Sequence, residues 1–254
     1  MTDPAPLPPH RLTAVITAHG QPSDPAPQER ALANLADAVA ALLPDWDIRS
    51  ATLSTADRLE QVTPKGALIY PFFMANGWFT GSVLPKRLQG HDVHLLPPFG
   101  LDPALPELAC KALATACEAR GWSLPRTRIL LAAHGSARGP KAAEAAEAFA
   151  AAMRHHLPGT DLLTGYVEED PRIADAARDL AAAKPEHLTL CLPFFAQSGE
   201  HVRDDIPEAL ADASYPGDIL PVLGALPGVP QLIADALRQA LLGPNPAGDK
   251  AGGI

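Results

Sequence analysis

The stretch LPFFAQSGEHVRDDIPEAL, residues 192–210, decides the fold. It completes an apolar run, LTLCLPFF (188–195), which predicts a buried strand, and it then turns through polar residues that include His201. A second apolar run, ILLAAHGS (129–136), also delivers a histidine, His134, where its predicted strand ends. In open parallel α/β sheets, ligands bind outside the carboxyl ends of the strands. We therefore expect both histidines to face one cleft.

Apolar runs alternate with helical periodicity along the rest of the chain. The predicted strands are 11–20, 47–53, 67–73, 92–96, 128–133, 162–167, 187–195 and 218–223. The predicted helices are 29–43, 55–62, 77–88, 103–120, 141–156, 171–183, 202–211 and 228–242, and residues 21–28 are predicted to be a loop. Continuous apolar strands separated by helices indicate parallel sheets that are covered on both faces.

The same order of strands and helices occurs twice along the chain. TAHG (17–20) matches AAHG (132–135), and PFFMANG (71–77) matches PFFAQSG (193–199). This internal repeat predicts an α/β fold with two homologous Rossmann-like lobes, each a small parallel sheet flanked by helices. The predicted divisions are a flexible arm at 1–10, a first lobe at 11–122, a second lobe at 123–243 and a disordered tail at 244–254.

The two lobes differ where chemistry is expected. The second lobe has Glu200 and His201, and the first has Trp78 and Phe79 at the matching positions but keeps a strand-end histidine, His19. This asymmetry predicts one active site between the lobes, with reactive groups on one wall and apolar packing on the other. The two aromatic residues are interpreted either as core or as the lining of a flat apolar slot for substrate.

Composition excludes several classes of function. The chain of 254 residues is 47% hydrophobic and 19% charged, and its net charge is −9, which opposes nucleic acids and anionic membranes. We find no apolar run of about 20 residues, the length that spans a bilayer. The N-terminal sequence has no apolar segment of the signal-peptide kind. The three cysteines lie in no CxxC pair, so we expect buried thiols in a reducing cytoplasm.

His134 and His201 are the first candidates for chemistry. Neutral imidazole binds divalent cobalt, iron, nickel or zinc and can also accept a proton near neutral pH. Two histidines do not make a closed structural zinc site, so an open metal site is favoured. The alternative is that each histidine only caps a helix or a loop. Glu168 and Glu200 stand near the same strand ends, and Glu200 is a candidate metal ligand.

Candidate substrate contacts surround this pair. Ser136 and Arg138 open the helix that follows His134, and Arg203 lies near the cleft, so these residues are candidates for binding an anionic group. Glu169 and Asp170 are interpreted as solvated acids. Asp205 is interpreted as structural, because a helix N-terminus stabilises negative charge. Fingerprints for dinucleotides, nucleoside triphosphates and serine hydrolases are absent from the sequence.

Three segments together resemble the class II tetrapyrrole chelatases, in particular the sirohydrochlorin cobaltochelatases and ferrochelatases: AAHGSARG (132–139), YVEEDPRI (166–173) and residues 192–210. The resemblance implies two lobes with the active site between them and the ATP-independent insertion of Co²⁺ or Fe²⁺ into a metal-free tetrapyrrole. It also implies that His134 and His201 are the metal-binding and proton-accepting pair and that Glu168 takes part in catalysis.

The expected partners follow from this resemblance. They are a tetrapyrrole and a divalent metal ion that is a substrate, with no tightly bound cofactor, no nucleic acid and no membrane. A monomer or a homodimer is expected, serving cobalamin or sirohaem biosynthesis. Two alternatives stay open at this point. One is a non-catalytic carrier of tetrapyrrole or metal on the same fold, and the other is an enzyme that acts on a phosphate ester at Ser136.

Overall fold

The computed structural model describes residues 11–136, 139–183 and 188–242. The predicted arm at 1–10 and the predicted tail at 244–254 lie outside these residues, as does Arg138. Two four-stranded sheets are present in the described part, and every strand pair is parallel. The predicted fold class of two parallel sheets flanked by helices is therefore confirmed.

The first sheet has the strand order β2-β1-β3-β4. Its strands are β1 (Leu12–Ala18), β2 (Trp46–Thr52), β3 (Leu68–Pro71) and β4 (His94–Leu95). Its helices are α1 (Pro25–Leu42), α2 (Arg58–Val62), α3 (Leu84–Arg87) and α4 (Leu105–Ala119).

The second sheet has the equivalent order, β6-β5-β7-β8. Its strands are β5 (Thr127–Ala133), β6 (Leu162–Tyr166), β7 (Leu188–Pro193) and β8 (Asp218–Ile219). Its helices are α5 (Lys141–His156), α6 (Ile173–Ala183), α7 (Ile206–Asp212) and α8 (Val229–Leu242). The predicted boundary between the lobes falls between α4 and β5.

Several predicted elements have different bounds in the structure, most clearly α1 and the last strand of each sheet. Helix α1 begins at Pro25, inside the predicted loop 21–28, because proline is favoured in the first turn of a helix, where its missing N–H costs nothing. The last strand of each sheet is only two residues long, although runs of five and six residues were predicted. Each sheet therefore consists of three longer strands and one very short edge strand.

A further difference concerns the segments before α3 and α7. Both were predicted to be α-helical, and both begin with one π-helical turn, at Phe79–Val83 and at His201–Asp205. Each π turn ends just before a helix whose second residue is proline, Pro85 or Pro207. Proline has no N–H and crowds the carbonyl four residues earlier, so the preceding turn widens.

Side chains alternate in direction along the central strands, so the two faces of each sheet pack into different cores. Ile16 and Leu131 belong to one cluster of buried residues that both lobes share. Their neighbours Val15 and Leu130 point to the opposite faces, into cores that belong to one lobe each. The shared core includes residues of α1, α4, α5 and α8, so the two lobes are packed together.

Candidate functional site

The reactive side chains of the second lobe converge because β5 lies between β6 and β7. His134 directly follows β5, Glu168 comes two residues after β6, and the loop after β7 leads to His201 at the start of a π turn. Parallel strands present their carboxyl ends at the same edge, so three distant segments deliver their side chains to one place.

The geometry of this group is compatible with metal binding. The rings of His134 and His201 meet edge to face, with centroids 4.5 Å apart and an interplanar angle of 88°. His134 Nδ1 lies 3.8 Å from Glu168 Oε2. One ligand atom from each of these three residues lies within 4.8 Å of the others. The prediction that both histidines face one site is confirmed, and Glu168 joins them.

Each histidine is held through its Nδ1 atom. His134 Nδ1 lies 2.9 Å from the carbonyl oxygen of Gly135, and because a carbonyl oxygen only accepts, this nitrogen carries the hydrogen of the bond. His201 Nδ1 lies 2.5 Å from Asp205 Oδ2. Asp205 was interpreted as structural, and sequence reasoning missed this contact. The signal was the spacing of four residues, which brings two side chains together on one helical face.

The turn after His134 is fixed by Glu169. Its Oε1 atom accepts a hydrogen bond of 2.8 Å from the backbone N–H of Ser136, so Glu169 is more than the solvated acid that was predicted. Gly135 has φ of +70°, and a Cβ atom there would lie 2.7 Å from the same oxygen. Glycine suits this backbone conformation, and a side chain here would push the Glu169 carboxylate away from Ser136. The backbone amide of Ser136 is already engaged by this carboxylate.

Glu200 lies outside the group of three potential metal ligands. Its Oε1 atom accepts a hydrogen bond of 2.6 Å from Gln21 Nε2 in the first lobe. Next to it, Gln197 Nε2 donates to the carbonyl oxygen of Gln28 over 3.0 Å. These contacts bring the start of α1 against the loop that carries His201. Arg203 is exposed, and no side-chain hydrogen bond joins it to the described residues.

The first lobe repeats the arrangement with aromatic groups. His19 Nδ1 lies 2.6 Å from the carbonyl oxygen of Gly20, and its ring lies 4.2 Å from that of Phe79. Trp78 packs its ring against Phe79 at 4.9 Å, yet 68% of its surface is exposed. Trp78 is therefore not a core residue, and its place in a slot for substrate stays a prediction.

Backbone hydrogen bonds define which residues of the two lobes correspond. Glu168 N donates to His134 O over 3.0 Å, and Ser54 N donates to His19 O over the same distance. Ser54 thus takes the place of Glu168. At the corresponding point of the other π turn, Val83 takes the place of Asp205. The first lobe keeps the scaffold and one imidazole but has no carboxylate at these positions.

The surroundings of the three potential ligands are acidic and partly open. His134 and Glu168 have side chains that are 43% and 41% exposed, and His201 and Asp205 are similar at 40% and 44%. Near them, Tyr166 is buried and donates a hydrogen bond of 2.8 Å to Glu147. Burial has the larger effect and this bond the smaller, and both raise the pKa of the phenol. The open acidic group can attract a cation from solvent.

Comparisons with known proteins identify the family. The family model described as CbiX matches residues 128–240. The structure of CbiX, the terminal enzyme for biosynthesis of siroheme in denitrifying bacteria, is 47% identical, with a TM-score of 0.81 over 90% of this chain and 99% of that one. A comparison with curated proteins gives no match.

More distant structures share the fold. SirB from Bacillus subtilis with Fe³⁺ is 14% identical and has a TM-score of 0.68, over 90% of this chain and 95% of that one. The sirohydrochlorin chelatase SirB from Bacillus subtilis subspecies spizizenii in complex with cobalt is 13% identical, with a TM-score of 0.65 over 94% and 98%. The described residues contain no helix long and apolar enough to cross a membrane. Through its identity to CbiX over nearly the whole of both chains, this chain belongs to the CbiX family of class II chelatases.

Proposed function

We propose that this chain inserts a divalent metal ion, Co²⁺ or Fe²⁺, into sirohydrochlorin without using ATP. The observation that carries the proposal is the open group of His134, Glu168 and His201, whose ligand atoms lie within 4.8 Å of one another. A closed structural site would surround the metal with four protein ligands, whereas three ligands leave positions for water or substrate. Such a site can hold a metal ion and also release it.

The reaction needs two exchanges. The metal ion must lose its water ligands, and the tetrapyrrole must lose the protons of two pyrrole N–H groups, so that one M²⁺ enters as two H⁺ leave. The imidazoles of His134 and His201 replace water on the metal, and a side chain with an accessible lone pair takes each proton. Glu168, 41% exposed and 3.8 Å from His134, is suited to pass protons to solvent.

The aromatic group of the first lobe supports a macrocyclic substrate. Trp78 is 68% exposed beside Phe79 and His19, which gives the ring of a tetrapyrrole an apolar surface to lie against. The bond between Gln21 and Glu200 joins the two lobes near His201. We propose that the macrocycle binds between the aromatic group and the three ligands.

We base the proposed metal and the proposed pathway on the similar proteins. CbiX of denitrifying bacteria acts in siroheme biosynthesis, which favours iron, while the SirB structures hold Fe³⁺ and cobalt. Imidazole and carboxylate ligands accept both metals. The three cysteines are buried and free, in keeping with a reducing cytoplasm.

An anaerobic assay tests the proposal. Sirohydrochlorin is mixed with Co²⁺ or with Fe²⁺, and the absorbance change of metal insertion is followed with the unmodified chain, His134→Ala and His201→Ala. We expect each substitution to lower kcat/KM at least about 100-fold, as loss of a metal ligand or proton acceptor does. His155→Ala, at the exposed end of α5, is the matched control and keeps full activity.

A carrier is the second candidate, because the first lobe lacks the carboxylate and the second imidazole. Tight binding of sirohydrochlorin and Co²⁺ with no acceleration over the uncatalysed rate would favour the carrier and contradict the enzyme.

A further inference from the structure

We infer that Asp205 is a positioning residue for His201, which holds the imidazole in the tautomer that carries hydrogen on Nδ1 and leaves Nε2 free to bind the incoming metal. The role of the metal rests on the proposed function. The tautomer of His201 does not, because it can be measured without any turnover.

The contact is built into the backbone. His201 and Asp205 are the first and last residues of one π turn, and their side chains meet at 2.5 Å between Nδ1 and Oδ2. The turn closes with the hydrogen bond from Ile206 N to His201 O, and Pro207 follows at once. The oxygens of a carboxylate only accept hydrogen bonds, so the shared hydrogen belongs to Nδ1.

Asp205 acts on the imidazole and not on the metal. It does not belong to the group of His134, Glu168 and His201 that offers ligand atoms to one point. A histidine ligand commonly donates its second ring N–H to a carboxylate or a carbonyl oxygen, which fixes the ring and makes the other nitrogen a stronger ligand. In this site His134 uses the carbonyl oxygen of Gly135, and His201 uses the carboxylate.

The first lobe supplies an internal comparison. There the imidazole of His201 is replaced by the ring of Phe79, and the carboxylate of Asp205 is replaced by Val83, on a π turn of the same length. The histidine and the carboxylate are thus present together or absent together. Asp204 has no such partner: it is exposed on the same turn and forms no side-chain hydrogen bond or ion pair with the described residues.

Nitrogen-15 NMR of the metal-free full chain tests the tautomer directly. Spectra are recorded at about pH 8.5, about two units above the ordinary imidazole pKa. In the unmodified chain and in Asp204→Ala we expect the hydrogen of His201 on Nδ1. In Asp205→Ala we expect a shift toward the form with hydrogen on Nε2, while His134 in the same spectrum keeps its tautomer and reports intact folding.

Calorimetry with Co²⁺ alone gives the second readout. We expect Asp205→Ala to weaken Co²⁺ binding about 10- to 100-fold, the usual effect of removing such a partner. Asp205→Glu restores part of the loss, and Asp204→Ala changes nothing. Hydrogen on Nε2 of His201 in the unmodified chain, or an unchanged tautomer in Asp205→Ala, overturns the inference. If the tautomer follows Asp205 but no sirohydrochlorin is metallated, the proposed function fails and the positioning role stands.

Discussion

The ring of Phe79 meets the ring of His19 edge to face, with centroids 4.2 Å apart and an interplanar angle of 79°. In the second lobe, His201 meets His134 in almost the same way, at 4.5 Å and 88°. Equivalent elements therefore support an aromatic contact in one lobe and a pair of candidate metal ligands in the other, on π turns of the same length.

This correspondence predicts that a metal site can be rebuilt in the first lobe. The triple variant Ser54→Glu, Phe79→His and Val83→Asp supplies the groups that the second lobe has at Glu168, His201 and Asp205. We expect calorimetry to detect a second Co²⁺ bound per chain. The control is Val83→Asp alone, which adds a carboxylate without an imidazole. Unchanged stoichiometry in the triple variant would contradict the correspondence.

Two glutamates near His201 are predicted to differ in their effect on the metal. Glu168 belongs to the group of three ligands, whereas Glu200 is bonded to Gln21. We expect Glu168→Gln to weaken Co²⁺ binding at least about 10-fold, because a charged ligand becomes a neutral one. Glu200→Gln keeps an acceptor for Gln21 and serves as the matched comparison, with Co²⁺ affinity within about twofold. Equal losses in both variants would make Glu200 a metal ligand after all.

Trp78→Ala is predicted to weaken tetrapyrrole binding and to slow metal insertion. The side chain is 68% exposed, so its removal leaves the free energy of unfolding almost unchanged but removes an aromatic surface worth about 1 kcal/mol to a bound ring. Fluorescence titration with sirohydrochlorin and steady-state kinetics measure the two effects. Leu242→Ala, which removes another exposed apolar side chain at the end of α8, is the control. Unchanged binding and kinetics would exclude Trp78 from the substrate surface.

Gly224→Ala is predicted to destabilise the contact between the lobes. A Cβ atom at this position would lie 1.8 Å from the carbonyl oxygen of Ala196 and 2.7 Å from the ring of Phe72 in the other lobe. Because backbone must move, we expect a loss of about 2 kcal/mol in the free energy of unfolding, measured with urea. Gly77→Ala places its new methyl group in open space and should cost far less. Equal urea midpoints for Gly224→Ala and Gly77→Ala would contradict the close approach of Gly224 to Ala196.

Glu60 and Arg87 are predicted to make stability depend on pH. The hydrogen bonds from Arg87 to the Glu60 carboxylate lower the pKa of this group below its ordinary value. A carboxyl whose pKa is lower in the folded state stabilises the fold above its unfolded pKa, and this contribution disappears as the pH falls through the folded pKa. Both side chains keep some exposure, at 28% and 20%, so solvent screens the pair.

We therefore expect Glu60→Gln to lower the free energy of unfolding by about 0.5–1 kcal/mol at pH 7 and by less as the solution becomes more acidic. Urea titrations at several pH values measure the difference. Glu107→Gln, which removes an exposed partner of Lys111, is the control and should leave stability unchanged. If the difference in the free energy of unfolding between Glu60→Gln and the unmodified chain does not decrease in acid, the charge of Glu60 is not its cause.

The sequence determined the fold class, the repeat and the two strand-end histidines. Apolar runs with turn residues identify parallel strands locally, and the carboxyl ends of such strands always share an edge, so the meeting of His134 and His201 could be expected. Helix α5 was predicted with its observed bounds for the same reason, since its periodicity and its stop signals are local.

Only the tertiary structure decided which partner each carboxylate binds. Glu169, Asp205 and Glu200 look alike in the sequence, yet they bind a backbone amide, an imidazole and the side chain of Gln21 in the other lobe. The π turn that pairs His201 with Asp205 depends on how the chain relieves the crowding at Pro207, and the bond to Gln21 depends on packing between lobes. These contacts are set by three-dimensional proximity, which hydrophobic periodicity does not encode.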